Sequence, residues 1–330
     1  MSDKFVDVVG IGNAIVDVLA HTEEDVLTRL GLTKGAMMLV DAERSAALYD
    51  AMGAGVEVSG GSAANTIAGI ASLGGKGAYI GKVGNDQLGG IFRHDIHTNG
   101  VYFETPSAKS LTPTARCMIM VTPDAERTMS TYLGACVELT PDDVDADLIT
   151  RSKITYLEGY LWDPPAAKEA FLKAARVAHD AGREVSLSLS DSFCVNRHLA
   201  EFQKLVREHV DVLFANESEI KALWQTDNYD EAVAVTRDAC DIAALTRSEK
   251  GSLIVAGDDV IEVAAFPVDR VVDVTGAGDL YAAGFLYGYT QGRDFADCGR
   301  IAALAAAEVI SHFGARPETP LSEVLLSKLG

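Results

Sequence analysis

The sequence predicts an α/β protein: a doubly wound, mostly parallel sheet flanked by helices, with a small β-sheet lid. Three observations carry that reading. From about residue 150 onward, short apolar runs alternate with helix-period segments, the pattern of a parallel sheet covered on both faces. Gly257-Asp258-Asp259, between Val255 and Val260, reads as a tight hairpin, so the sheet ends in antiparallel strands. The N-terminal third holds scattered strand-like pieces that group into a separate small sheet, a plausible cover for chemistry that must exclude water. No repeat, low-complexity tract or linker divides the chain, so residues 1–330 are expected to form one domain, with the lid made by excursions at about 14–22, 35–41 and 114–133.

In chain order, residues 5–9, 15–20, 37–40, 116–121 and 128–132 read as strands of the small sheet. Thr122-Pro123-Asp124-Ala125-Glu126 is the turn joining the last two. An Ala-rich helix is expected over 66–73. The alternating series then runs strand 154–157, helix 166–181, strand 185–189, helix 199–209, strand 212–215, helix 230–239 and strands 243–246 and 253–255. An apolar helix follows over 280–289.

Composition narrows the function. The 330 residues are 48% hydrophobic and 23% charged, ordinary for a soluble globular protein. A formal charge of −20 argues against non-specific binding to nucleic acid or anionic membrane, which needs a basic footprint. No run approaches the ~18 apolar residues of a membrane span, and Met1 leads directly into a strand-like segment without a secretory apolar region, so a cytoplasmic location is expected. Five scattered cysteines, Cys117, Cys136, Cys194, Cys240 and Cys298, contain no C-x-x-C pair and read as reduced thiols. His94 and His97 share helical spacing, but no carboxylate pattern near them suggests a metal site.

The stretch Asp273-Val274-Thr275-Gly276-Ala277-Gly278-Asp279 places a flexible turn between two carboxylates at the start of an apolar helix. Such a turn aims backbone N–H groups at one anion, and the helix dipole reinforces them. Asp279 then stands where a carboxylate can take a proton from an attacking hydroxyl while the amides hold developing charge, which is the logic of a phosphoryl-transfer site. The bland alternative is an acidic residue complementing a helix start.

Other candidates carry the same duality. Gly60-Gly61-Ser62-Ala63-Ala64-Asn65 lets backbone approach a ligand and presents Asn65 toward it, or is a helix start capped by Ser62. Asn13 and Asp17 suit adjacent sugar hydroxyls. Gly10-Ile11-Gly12 hints at a dinucleotide site, yet Ile15 replaces the third glycine and no helix follows. Asn216-Glu217-Ser218-Glu219 follows a strand at the sheet's carboxyl edge, where oxygen ligands suit Mg2+, or else it simply opens a helix. Thr246-Arg247-Ser248-Glu249-Lys250-Gly251 opens at the same edge and offers Thr246, Arg247 and the Gly251 backbone to a nucleotide. No Walker A sequence and no H-R-D or D-F-G set occurs.

In order and spacing, Gly60-Gly61 with Asn65, Asn216 to Glu219, Thr246 to Gly251 and Asp273 to Asp279 resemble the ribokinase-like (carbohydrate kinase PfkB) family over nearly the full chain. Within it the chain is most similar to the adenosine kinase branch and related bacterial nucleoside kinases. That similarity rests on Gly12 to Asp17, Lys34 to Val40 and Glu126 to Ala135.

The resemblance implies a ribokinase-like fold and transfer of the ATP γ-phosphate to the 5′-hydroxyl of adenosine. It makes Asp279 the base, and Gly276, Ala277 and Gly278 the anion hole with Thr275 beside it. Arg127 becomes a lid arginine near the transferred phosphate. Asn13, Asp17, Gly60, Gly61 and Asn65 hold the sugar, Asn216, Thr246, Arg247 and Gly251 face ATP, and Glu219 and Asp273 serve Mg2+. For the purine, Met37, Leu39, Met129, Tyr160 and Leu161 form the apolar slot. Better-known adenosine kinases place phenylalanine near Leu161, so a ribose, fructose, inosine or guanosine kinase and a non-catalytic nucleoside-binding protein stand as alternatives. Some members of the family respond to K+ through carbonyls near the signature and Gly314. A monomer or homodimer acting on small molecules is expected.

Overall fold

The computed structural model describes residues 5–124 and 126–329. The turn residue Ala125 lies outside them. Strand β1 (Val6–Ile11) sits inside the large sheet, and the chain then leaves it for β2 (Ile15–His21), β3 (Met37–Leu39) and β4 (Val56–Gly60). It returns with β5 (Gly77–Ile80), departs again for β6 (Ala115–Val121) and β7 (Arg127–Tyr132), and stays in the large sheet from β8 (Ser152–Glu158) through β9 (Glu184–Ser188), β10 (Val212–Asn216), β11 (Ile242–Thr246), β12 (Ser252–Ala256) and β13 (Asp259–Val263).

The large sheet has eight strands in the order β13-β12-β11-β10-β9-β8-β1-β5. Its strands from β5 to β11 run parallel, and β12 and β13 are antiparallel around a turn in which Gly257 takes φ 58°. Helices cover both faces. Ser62–Ser72, Gln87–Thr98, Ala277–Thr290 and Phe295–Val309 pack on one, around Tyr156, Phe214 and Phe285. Pro165–Asp180, Leu199–His209, Glu217–Trp224 and Tyr229–Arg237 pack on the other, around Phe171 and Phe202. Alternate residues of each strand feed the two cores, so Val212 and Phe214 join the first and Leu213 and Ala215 the second.

The small sheet runs β3-β7-β6-β2-β4. Residues 5–9 do not belong to it, contrary to the sequence expectation. Val8, Val9 and Ile11 of β1 are fully buried between two helical layers, with Val8 opposite Gly77 and Ile154. A strand covered on both faces needs no polar alternation, whereas β2 alternates half-buried and buried residues as a one-faced strand does. Strand β4 in the small sheet and β5 in the large one, short and partly polar or glycine-led, were not foreseen. One face of the small sheet packs Met118 and Met120 on Leu27 and Leu48. The other gathers Ile15, Leu19, Cys117, Ile119 and Met129.

Candidate active site

The chain crosses from large to small sheet at Asn13 and returns at Gly60-Gly61, immediately beyond the carboxyl end of β1. There the strand order turns, with β5 on one side of β1 and β8 on the other, and open α/β sheets leave a crevice at such a point. A cavity of about 790 Å3 occupies it, between the small sheet and the carboxyl ends of the large one. Its floor is the start of helix Ala277–Thr290.

Gly276 enters that helix in the left-handed region, φ 78°, and no side chain caps it. A Cβ there would strike Ala315, so glycine is required. First-turn N–H groups lack intrahelical acceptors, and Gly278 and Asp279 both line the cavity. The Asp279 carboxylate is half-buried and fixed by two donors from one helix: Ser62 Oγ reaches Oδ1 at 2.6 Å and Asn65 Nδ2 reaches Oδ2 at 3.0 Å. Burial raises its pKa above the ordinary carboxylate value, and the two donors together with Arg316 partly offset that. A carboxylate so placed can accept a proton beside an anion cradle.

Ser62 and Asn65 reach Asp279 because Gly60-Gly61 brings β4 close. A Cβ on Gly60 would overlap the Asp17 carboxylate, and one on Gly61, at φ 96°, the Asn13 carbonyl. Asp17 lines the cavity with its pKa raised by burial to about 6. Asn65 Oδ1 is buried without a partner, an acceptor left for a ligand.

Glu158, at the end of β8, was missed by sequence reading. It is 1% exposed yet borders the cavity. Its Oε1 accepts from the Asn13 side chain at 2.7 Å and backbone at 3.3 Å, and Oε2 accepts from Ala63 N at 2.8 Å. Burial outweighs these donors and pushes its pKa to about 7. It therefore ties together both chain crossings. The only hint in the sequence was a lone acid ending an apolar strand.

On the far wall, Asn216 and Glu219 form a reciprocal capping box: Glu219 accepts from Asn216 N at 2.9 Å and Nδ2 at 2.6 Å, and Asn216 Oδ1 accepts from Glu219 N. Both also border the cavity, so the capping and ligand-facing readings coexist. Burial pushes Glu219 to about 7. Asp191 lies close by, giving hard oxygen donors on one wall. Among the described residues no group of three or more His, Cys, Asp or Glu side chains is placed to hold a metal ion.

Met37, Leu39, Met129 and Tyr160 line the cavity, as do Thr246, Thr275 and Ala277. Six expected site residues do not. Leu161 is fully buried in the core, because the short helical turn Gly159–Trp162 directs Tyr160 to the cavity and its neighbour inward. Arg247 pairs with Glu217 at 3.0 Å and stacks on Tyr229, outside the cavity. Gly251 serves a turn packed against Val263 to Ala265. Gly60 contributes space for Asp17.

Asp273 is not free for a metal. Its Oδ2 takes an ion pair from Arg127 at 2.8 Å and the Gly314 N–H at 3.0 Å, and its Oδ1 takes the N–H and hydroxyl of Thr275. Arg127 in turn donates to Thr275 Oγ1 at 2.8 Å. The pair thus ties the turn at Thr275 to β7. Beyond Glu158 and Ser62, the structure adds Ile15, Ile119 and Phe193 to the apolar wall. Phe193 is 81% exposed on a short helix that follows Ser190.

A glycine turn opening a helix, a half-buried carboxylate and a covering sheet are the parts that a phosphotransferase with an alcohol acceptor needs. The pattern of the pfkB family carbohydrate kinases matches residues 33–321, and the chain belongs to that family. It is similar to a probable sugar kinase from Rhizobium etli, with 54% identity and TM-score 0.91 over 98% of each chain. It is equally similar in fold to adenosine kinase from Sinorhizobium meliloti, with 52% identity and TM-score 0.91 over 98% of this chain and 99% of that one. Adenosine kinase of Saccharomyces cerevisiae is 27% identical over 344 residues, 96% of this chain and 98% of the relative. The protein is a nucleoside or sugar kinase, and ATP use follows from the family.

Proposed function

We propose that this protein transfers the γ-phosphoryl group of ATP to the 5′-hydroxyl of adenosine, giving AMP. The observation that carries the chemistry is Asp279, held by Ser62 and Asn65 beside the uncapped amides of Gly278 and Asp279 itself. Asp279 takes the hydroxyl proton as the oxygen attacks, and the Gly276 to Gly278 turn receives the charge that builds on the phosphoryl oxygens. Asn13, Asp17 and Asn65 hold the ribose diol. Thr246 and Asn216 border the nucleotide side. Mg2+, when bound, neutralises phosphate charge; Glu219 and Asp191 are the residues that would hold it through water. The small sheet closes as a lid, with Arg127 tying it to the anion loop.

Adenosine is favoured by the apolar wall. Met37 and Leu39 are about half-exposed at 50% and 56%, and with Ile119, Met129 and Tyr160 they face one open slot. Exposed apolar groups facing one cleft suit a planar base. A sugar kinase is the second reading, favoured by the 54% identity to the probable sugar kinase from Rhizobium etli.

Incubation of the purified protein with MgATP and panels of nucleosides and free sugars decides between them. AMP formation with kcat/KM for adenosine far above that for inosine, guanosine, ribose or fructose is the expected result. Turnover of a sugar but not adenosine selects the second reading. Tight binding of adenosine and ATP without product would remove the enzyme assignment for Asp279.

A further inference from the structure

The C-terminal loop Gly314-Ala315-Arg316 touches three parts of the site. The Gly314 N–H donates to Asp273, and Ala315 packs where Gly276 has no side chain. Arg316 Nη2 donates to both the carbonyl and hydroxyl of Ser59, at 3.1 and 3.0 Å. Ser59 is gripped from the other side as well, its N–H donating to Asp95 Oδ2 at 2.8 Å. Ser59 directly precedes Gly60-Gly61, and the next residues of the chain include Ser62 and Asn65, the two donors on Asp279. Arg316 is therefore joined to Asp279 by a short rigid path: guanidinium, Ser59, the glycine crossing, and one helical turn. Its Nε and Nη1 are buried without partners. An arginine so desolvated costs stability unless nearby charge compensates. The acids nearest to it electrically are Asp95, Asp17 and Asp279.

We infer that Arg316 is a positioning residue for phosphoryl transfer: it fixes the Gly60-Gly61 crossing, and it supplies positive charge behind Asp17 and Asp279 from outside the cavity. The inference rests on the proposed role of Asp279. Arg316 does not border the cavity and touches no substrate. Its effect runs through where Ser62 and Asn65 stand and through how readily Asp279 is ionised. Asp279 is otherwise faced by Asp17 from the small sheet, by Tyr156 and Glu158 from β8 and by Tyr160 just after it. Among the described residues, the cation acting on Asp279 is Arg316. Without it, Asp279 holds its proton to higher pH, and the base is lost from the acid side upward.

The test compares Arg316→Gln and Arg316→Lys with the parent, using whichever acceptor the parent turns over. Arg316→Gln is expected to lower kcat about 10- to 100-fold, the range a charge-assisted hydrogen bond carries. In that variant KM for MgATP stays within about twofold and the acid limb of the kcat profile moves to higher pH. Arg316→Lys keeps the charge but its shorter head does not reach Ser59 as Nη2 does, so its acid limb stays in place while kcat falls. An Arg316→Gln protein with parental kcat and acid limb overturns the inference. So does one with a lowered melting temperature and an unmoved acid limb, the mark of a merely structural tether. If Arg316→Gln does not fold, Arg316→Lys decides alone, and parental kcat in it counts against the role. A parent protein inactive on every nucleoside and sugar sinks the proposed function first, and this inference with it.

Discussion

Asp279 stands between two demands that its surroundings reconcile. Burial raises its proton affinity, while Ser62 and Asn65 favour the charged form. A general base needs both, enough affinity to take a proton and enough ionisation to be ready. Asp279→Asn keeps the shape and both neighbours but removes the acceptor for the proton. It is expected to lower kcat by at least the ~10²-fold that general-base assistance supplies, with acceptor affinity by calorimetry little changed. Near-parental turnover would remove the assignment. Glu219 makes a different prediction. Glu219→Gln retains one acceptor for Asn216 but loses the charge, so the Mg2+ concentration for half-maximal activity rises several-fold, about the weight of one charge-assisted contact. A superimposable metal titration would exclude Glu219 from that role.

Among the elements, the glycine crossing between β4 and helix Ser62–Ser72 is the one most tightly specified. Gly61 has φ 96° and its missing side chain faces the Asn13 carbonyl. Gly61→Ala forces either a backbone strain of about 1–3 kcal/mol or a retreat of Asn13, and the same shift moves Ser62 away from Asp279. Urea unfolding should register that loss, and kcat/KM should fall with it; an alanine variant with parental stability and rate would show that the crossing is not strained. This crossing also marks what the sequence makes legible. The turn from Gly276 to Asp279 is readable because consecutive residues encode a glycine turn, a helix start and a carboxylate together. Glu158 is not, since its meaning depends on Asn13 and Ala63, 145 and 95 positions away. Tyr160 and Leu161 differ by one step in a short turn, and no periodicity in so brief an element fixes which faces the ligand. The parallel strands from β8 onward were readable from their apolar runs, whereas β1 was assigned to the wrong sheet because five residues alone do not tell one buried face from two.

For the whole molecule, charge sets the pH response. The chain carries −20 at neutral pH with a pI near 4.7, so acidification relieves self-repulsion. Buried acids act in the same direction. Glu158 and Glu219 have folded pKa values near 7 against an ordinary 4.5. For a carboxylate whose folded pKa is raised, the favourable contribution is complete below the unfolded pKa and disappears as pH climbs through the folded one. The window is therefore about pH 4.5 to 7, across which each group costs roughly 3 kcal/mol if the full difference is expressed. Asp124, lowered to about 2 by Lys34, titrates outside that window. Ligand-free protein should thus resist urea better at about pH 6 than at pH 8, where solubility is also safe from the pI. Glu219→Gln should flatten the slope by removing one titrating group, and the proposed role of Glu219 toward Mg2+ predicts that the ion recovers stability at pH 8 in the parent more than in the variant, since a metal favours the deprotonated carboxylate. Stability that is flat or rises from pH 6 to pH 8 in the parent would mean that the donors around Glu158 and Glu219 already hold both acids ionised, and the proposed Mg2+ wall would then carry its charge preformed.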